Sequence, residues 1–253
     1  MKKEGTEVKI KSLQKALQVL ECFVEKQPLG VTEISEKMGL YKSNVHNILS
    51  TFKAMDYLEQ DPDTGKFRLG TAVFALSRAL RENLDISRIV VPFMRRIAEE
   101  AGEVVYLAIP REDEVVYLEA AYPESQKLSG SIVTGERAKM HCTSVGKAIL
   151  SSMDPRERQK LLQEPLEAFT QYTITDRKEL EEELQRTAER GYGLDDMELL
   201  FGIKCVGVAL VNHEGKPEGG LSISAPSLRM SEEKIQVFAE ILHRYKVEIQ
   251  KRL

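Results

Sequence analysis

Between Thr32 and Phe52, apolar residues recur at helical spacing in two short blocks: Ile34 and Met38, then Val45, Ile48, Leu49 and Phe52. Each block lies on one face of a helix. Gly39 falls between the blocks, where glycine accepts the left-handed backbone that ends a helix. Thr32 is the expected cap of the first helix through its hydroxyl, and Val31 the expected start of a short strand. The pattern predicts a helix-turn-helix, whose second helix is suited to the major groove of DNA. Upstream, Leu13, Leu17, Leu20 and Val24 predict a helix from Lys11 to about Glu25 that packs on this pair. Gln27-Pro28-Leu29-Gly30 breaks it.

With its apolar residues turned inward, the second helix presents Ser43, Asn47, Ser50 and Ala54, flanked by Asn44 and His46. That face is small, polar and free of carboxylates. Such side chains let a helix approach base edges, and Asn pairs with adenine in a bidentate way. Asp61-Pro62-Asp63-Thr64-Gly65 is a strong turn between two short apolar runs. It predicts a hairpin, a wing, on which Lys66 and Arg68 alternate with Phe67 and Leu69 so that one face packs and the other meets phosphate.

Beyond the wing, Val73, Leu76, Leu80 and Leu84 predict a connecting helix. Asp85 is the expected cap of another, carrying Ile89, Phe93 and Ile97, which Pro92 should kink or restart. From Glu103 the texture becomes strand-like. Residues 104–109 and 115–120 read as strands about the turn Arg111-Glu112-Asp113-Glu114, with 131–134 a further candidate. Helices are expected over 144–152, after Asp154-Pro155, over 176–190 closed by Gly191, and from Ser231 towards the end. Strands are expected over 205–211 and 219–224. Helices with an antiparallel sheet in this order predict an α+β sensor-like domain.

The chain has 253 residues, enough for one large domain or two ordinary ones. Its net charge of −4 argues at first against nucleic acid, but residues 1–81 carry +3 and the remainder −7. A mildly basic end on an acidic body fits phosphate contact by that end alone. No apolar run approaches a membrane span. The start leads into no signal-type core, and three scattered cysteines form no disulfide framework. A cytoplasmic location is expected.

Several stretches carry a resemblance: GLYKSNVH at 39–46, DPDTGKFRLG at 61–70, HCTSVGKA at 141–148, RGYGLDD at 190–196, GIKCVGV at 202–208 and GLSIS at 220–224. In this order and spacing the chain resembles the IclR family of bacterial transcriptional regulators along nearly its whole length. The resemblance implies an α+β protein: an N-terminal winged helix-turn-helix over 1–70, a linker helix over 71–84 and a GAF-like effector-binding domain over 85–253. It implies a DNA-binding regulator, a repressor rather than an enzyme. Its partners would be a double-stranded operator, a small organic-acid effector and a second copy of the chain, with dimers pairing into tetramers. It implies no cofactor. The DNA contacts would come from Lys42, Ser43, Asn44, His46, Asn47, Ser50, Lys66 and Arg68. The effector contacts would come from Met140, Ser144, Val145, Asp195, Cys205, Ser222 and Ser224.

Two places depart from the family pattern. Thr and Arg are common where this chain has Asn44 and Asn47, and a basic residue is common where Glu59 stands. Losing an Arg removes a strong guanine or phosphate contact.

These residue types make physical sense. A helix beginning near Ser144 offers free N–H groups and a positive dipole end to a carboxylate. Ser222 and Ser224, two apart on a strand, point to one face. The alternative is a metal- or thiol-dependent enzyme, or a metal sensor, using His141, Cys142 and Cys205, with Asp195 and Glu198 as further ligand types. None of these sits at close motif spacing. Gly146-Lys147 lacks the preceding glycine of a phosphate loop.

Overall fold

The computed structural model describes residues 8–126, 134–162 and 165–253, apart from the side chains at 81 and 82. The chain divides into two compact units, Met1–Asn83 and Leu84–Leu253.

The first unit runs α1 (Lys11–Glu25), α2 (Val31–Met38), α3 (Lys42–Ala54), β1 (Leu58–Gln60), β2 (Phe67–Leu69) and α4 (Ala72–Glu82). Val45 and Leu49 of α3 meet Ile34 of α2, Val19, Cys22 and Phe23 of α1, and Leu58 and Phe67 of the hairpin in one core. Gly39 closes α2 at φ 62°, its N–H donating to the Ser35 carbonyl. At the other end Thr32 is not the cap. Gly30 holds that position, and its N–H donates to the Glu33 carboxylate at 2.9 Å. Val31 is already helical; the strand-like residue is Leu29, which exchanges two backbone hydrogen bonds with Phe67 at 2.9 and 2.8 Å.

The row expected to anchor α1 is largely not the buried one. Leu13, Leu17 and Val24 are 54%, 49% and 79% exposed. The helix has two apolar rows, and Val19, Cys22 and Phe23, at spacings of three and four, form the one that meets α2 and α3. In α4, Leu76 and Leu80 are likewise exposed, as is Phe74.

The second unit runs α5 (Asp85–Ala101), β3 (Val104–Arg111), β4 (Glu114–Ala121), β5 (Arg137–Lys139), α6 (Ser144–Ser152), α7 (Pro155–Leu161), α8 (Arg177–Arg190), β6 (Gly193–Asp196), β7 (Ile203–Val211), β8 (Pro217–Pro226) and α9 (Glu232–Gln250). Its strands form one antiparallel sheet in the order β5-β4-β3-β8-β7-β6. Asp154, Asp176 and Ser231 cap α7, α8 and α9 as their local chemistry requires. Asp85 is the first helical residue of α5 rather than its cap, and pairs with Arg88 at 2.9 Å. The helix continues through Pro92 without restarting. Of the strand expected over 131–134, residues 131–133 lie outside the described residues and Thr134 is in a turn.

Period-2 alternation sorts the sheet's two faces. Val105, Leu107, Val206, Val208, Leu221 and Ile223 pack against α5 and α9. Ala108 and Ala209, on the opposite face, pack with α6 and α8. Tyr106, Cys205, Gly207, Gly220, Ser222 and Ser224 alternate onto that second face.

Candidate functional sites

In the first unit, α3 presents Lys42, Ser43, Asn44, His46, Asn47 and Ser50, all exposed, opposite buried Val45 and Leu49. The two wing cations are engaged. Lys66 Nζ lies 3.0 Å from Glu33 Oε2. Arg68 donates from Nε and Nη2 to Glu59 Oε2 at 3.1 and 3.0 Å. Glu33 also pairs with Lys26 at 3.3 Å. The Gly30 N–H, then Lys66 and Lys26, hold the Glu33 carboxyl down at about 2.

The second unit contains a cavity of about 620 Å³ on the α6 side of the sheet. The start of α6 forms part of its wall because three strands offer bare backbone beneath that helix. A Cβ added at Gly193 would lie 2.1 Å from the Ser144 carbonyl oxygen, one at Gly207 2.6 Å from the Val145 nitrogen, and one at Gly220 2.6 Å from Val145 Cγ2. Thr143 caps the helix, its Oγ1 accepting the Gly146 N–H at 3.1 Å. The preceding amides, of Ser144 and Val145, belong to the helix's first turn, which has no intrahelical acceptors.

Ser144, Asp195, Cys205, Ser222 and Ser224 all line this cavity. Met140 and Val145 do not: both side chains are buried in the core that α6 shares with Ala108 and Ala209. Val145 instead packs onto the strands, its side chain over Gly220 and its nitrogen over Gly207.

Tyr106 and Tyr117, edge to face at 5.5 Å, complete an aromatic wall that the residue-by-residue reading missed. Its signal was the alternation that puts Tyr106 beside its register partner Ser222. Glu103 and Arg229, joined by two hydrogen bonds of 2.7 Å, form another part of the lining.

Burial pushes the Asp195 carboxyl up to about 7, although its Oδ1 accepts N–H bonds from Glu198 at 2.8 Å and Leu199 at 3.4 Å. Burial also raises both tyrosine hydroxyls and the Cys205 thiol, which donates to Ser224 Oγ at 3.2 Å. Cys142 is raised in the same way, and His141 is lowered while its Nε2 engages the Glu167 carbonyl at 2.9 Å. A nucleophilic cysteine needs a lowered pKa, and these thiols shift the opposite way. Among the described residues no three His, Cys, Asp or Glu side chains gather as a metal-ligand set. The raised thiols do not support the thiol-dependent alternative.

Residues 78–250 match the family model described as bacterial transcriptional regulator IclR C-terminal, and residues 12–62 match the IclR helix-turn-helix domain. The chain belongs to the IclR family. It is similar to the HTH-type transcriptional regulator XynR of Escherichia coli, 32% identical over 92% of this chain and 93% of that protein. It is also similar to KdgR of Escherichia coli, 30% identical over 92% of this chain and 89% of KdgR.

Among solved structures, Thermotoga maritima IclR superposes with a TM-score of 0.80 at 28% identity, covering 96% of this chain and 98% of that one. An IclR homolog from Microbacterium hydrocarbonoxydans, complexed with 4-hydroxybenzoate, gives 0.81 at 26% identity with the same coverage, 96% and 98%. The IclR-family assignment makes the chain a DNA-binding transcriptional regulator, not an enzyme. Among the described residues no helix is long and apolar enough to cross a membrane.

Proposed function

We propose that this IclR-family regulator is a cytoplasmic repressor whose operator binding is set by a small organic acid in the second-unit cavity. In this reading residues 1–70 bind the operator, 71–84 connect, and 85–253 sense the effector. The carrying observation is the convergence of the α6 amide end with Asp195, Cys205, Ser222 and Ser224 around one cavity. The amide end suits a carboxylate. The two serines, the thiol and Asp195 suit hydroxyl or carbonyl groups, and the tyrosine pair suits an apolar or aromatic body. The 4-hydroxybenzoate complex of the Microbacterium homolog supports the same ligand class.

The protein acts as a dimer, and dimers pair into tetramers. The exposed apolar rows at Leu13 and Leu17 and at Leu76 and Leu80, with Phe74 exposed on another side of α4, support association, since solvent-facing apolar groups of this kind mark interaction surfaces. Two recognition helices then address successive major grooves of a palindromic site. An acid that binds the DNA-competent and DNA-incompetent arrangements unequally shifts their populations.

The test is a thermal-shift screen of small carboxylic acids on the full chain, followed by gel shifts on DNA flanking its gene. The expected result is an acid that raises the midpoint and changes operator affinity. An acid that stabilises wild type and Asp195→Asn/Ser222→Val equally, while still altering DNA binding, would place the effector elsewhere.

A further inference from the structure

We infer that Glu59 and Glu33 occupy the wing's cations in place of DNA phosphates, so that duplex DNA must displace the protein's own carboxylates and sequence-independent binding is held down. The inference rests on the DNA-facing assignment of the wing.

Glu59 and Arg68 are direct register partners across the β1–β2 hairpin, side by side on one face. The carboxylate takes both Nε and Nη2 of the guanidinium at 3.1 and 3.0 Å, the fork that a phosphate would otherwise occupy. Glu33 does the same for a second cluster. It takes Lys66 and Lys26, and its Oε2 also accepts the Gly30 N–H at the start of α2. That start is a helix N-terminus, where N–H groups favour anions, and its Gly30 donor is already taken by the carboxylate. Both wing cations and the Gly30 donor are therefore engaged from within.

The charge count agrees. Residues 58–69 contain Glu59, Asp61 and Asp63 against Lys66 and Arg68, so the wing brings no net positive charge. Its cations are accessible nonetheless. Arg68 and Glu59 are 65% and 45% exposed, and exposed ion pairs are weakly held. A phosphate can take the guanidinium, but the displaced carboxylate stays attached beside it and continues to repel the backbone. Such a wing contributes little on arbitrary sequence. It engages only when base contacts from α3 hold the duplex in place.

The experiment measures full-length protein on a random-sequence DNA duplex by fluorescence anisotropy across a salt series. The proteins are wild type, Glu59→Gln, Arg68→Ala, the double variant, and Glu33→Gln as an independent site. Gln keeps the shape of Glu59 and leaves Arg68 free. We expect Glu59→Gln to bind about threefold to tenfold more tightly at low salt, with a log–log salt slope steeper by roughly 0.9 from one added phosphate contact. Arg68→Ala alone should change little, and in the Glu59→Gln background it should remove the gain. Glu33→Gln should move in the same direction as Glu59→Gln, through Lys66.

Equal binding and equal slopes for wild type and Glu59→Gln, with unchanged thermal midpoints, overturn the inference alone. So does an Arg68→Ala loss that is as large in wild type as in Glu59→Gln. No duplex binding by any of the proteins overturns both the inference and the DNA-facing assignment of the wing.

Discussion

Lys147 of α6 and Glu198, in the loop after β6, form an ion pair whose side chains are 1% and 6% exposed. Glu198 in turn donates its N–H to Asp195 Oδ1 at 2.8 Å, so the cavity wall is tied to the helix that opens into it. Glu183 of α8 stands 3.9 Å from the same ammonium, and Arg190 binds Glu183 at 2.6 Å. Removing one member of a buried pair leaves an uncompensated charge. Lys147→Met should therefore lower unfolding stability by about 3–5 kcal/mol, and Lys147→Met/Glu198→Leu should recover most of that. Chemical denaturation followed in the second unit reads both. A single variant within 1 kcal/mol of wild type, on the order of a surface substitution, would show that the pair is not energetically coupled.

Asp195 makes stability depend on pH, and the sign follows from the direction of its shift. The folded group keeps its proton up to about pH 7, whereas the ordinary carboxyl releases it near 3.8. Below the lower value both states are protonated. Between the two values the native state binds the extra proton, so stability falls as pH rises, and above about 7 the loss is complete. Asp195→Asn should abolish this segment. Its advantage over wild type should grow between pH 4 and 7 to a few kcal/mol, about 4 at the upper end. A constant difference across that range would mean the carboxyl is already ionised at low pH.

Asn47 and Lys42 should fail in different ways. Asn47→Ala is expected to cost roughly 1–3 kcal/mol on the operator and to relax base preference, while Lys42→Ala weakens all duplexes alike. Affinities on the operator and on single-base variants separate the two. Identical losses across every sequence from both changes would refute this division of roles.

Ser222→Val should remove the response to the effector and leave operator affinity within a factor of about 2, a change of only a few tenths of a kcal/mol. Titrating the stabilising acid into the protein–operator complex tests this, and a wild-type response from the variant would exclude the strand face as the binding wall.

Gly207 has a steric role that a single methyl group exposes. Gly207→Ala would put a Cβ 2.6 Å from the Val145 nitrogen, where the α6 backbone must shift. The expected cost is about 1–3 kcal/mol, with weakened acid binding at temperatures where the protein remains folded. Unchanged stability and binding would show that α6 is not pinned to β7.

Much of the architecture was legible because its boundaries are written in local chemistry. Gly39, Gly191, Asp154, Asp176 and Ser231 each end or start a helix where their own backbone or side chain dictates. Choices between equivalent partners were not legible. α1 carries two apolar rows, and only the positions of α2 and α3 decide which is buried. Gly30, without a side-chain acceptor, took the cap position from Thr32 because Glu33 could reach back to its N–H. In the cavity, strand parity put Ser222 and Ser224 on one face, while their role as contacts, and that of Cys205, came with the family resemblance. Glu103 and Arg229, 126 positions apart, are joined only by the fold. Gly146-Lys147 lacks the pattern of a phosphate loop, and nothing local announces the role of Lys147, which only folding supplies by placing Glu198 and Glu183 around its ammonium.

The three glycines beneath α6 have a consequence for how such a regulator can change. Gly193, Gly207 and Gly220 let the helix rest on naked strand, and in the proposed reading the groups that its tip offers to an anion are peptide amides. A point substitution in the lining, other than to proline, alters a side chain but does not remove a peptide N–H. In the proposed reading, the spot that receives a ligand's charge is thus built into the framework, while Tyr106, Tyr117 and Leu199 line the same cavity as exchangeable side chains. A descendant of this chain could answer to a different acid by trading those side chains and still hold the new molecule by the same end.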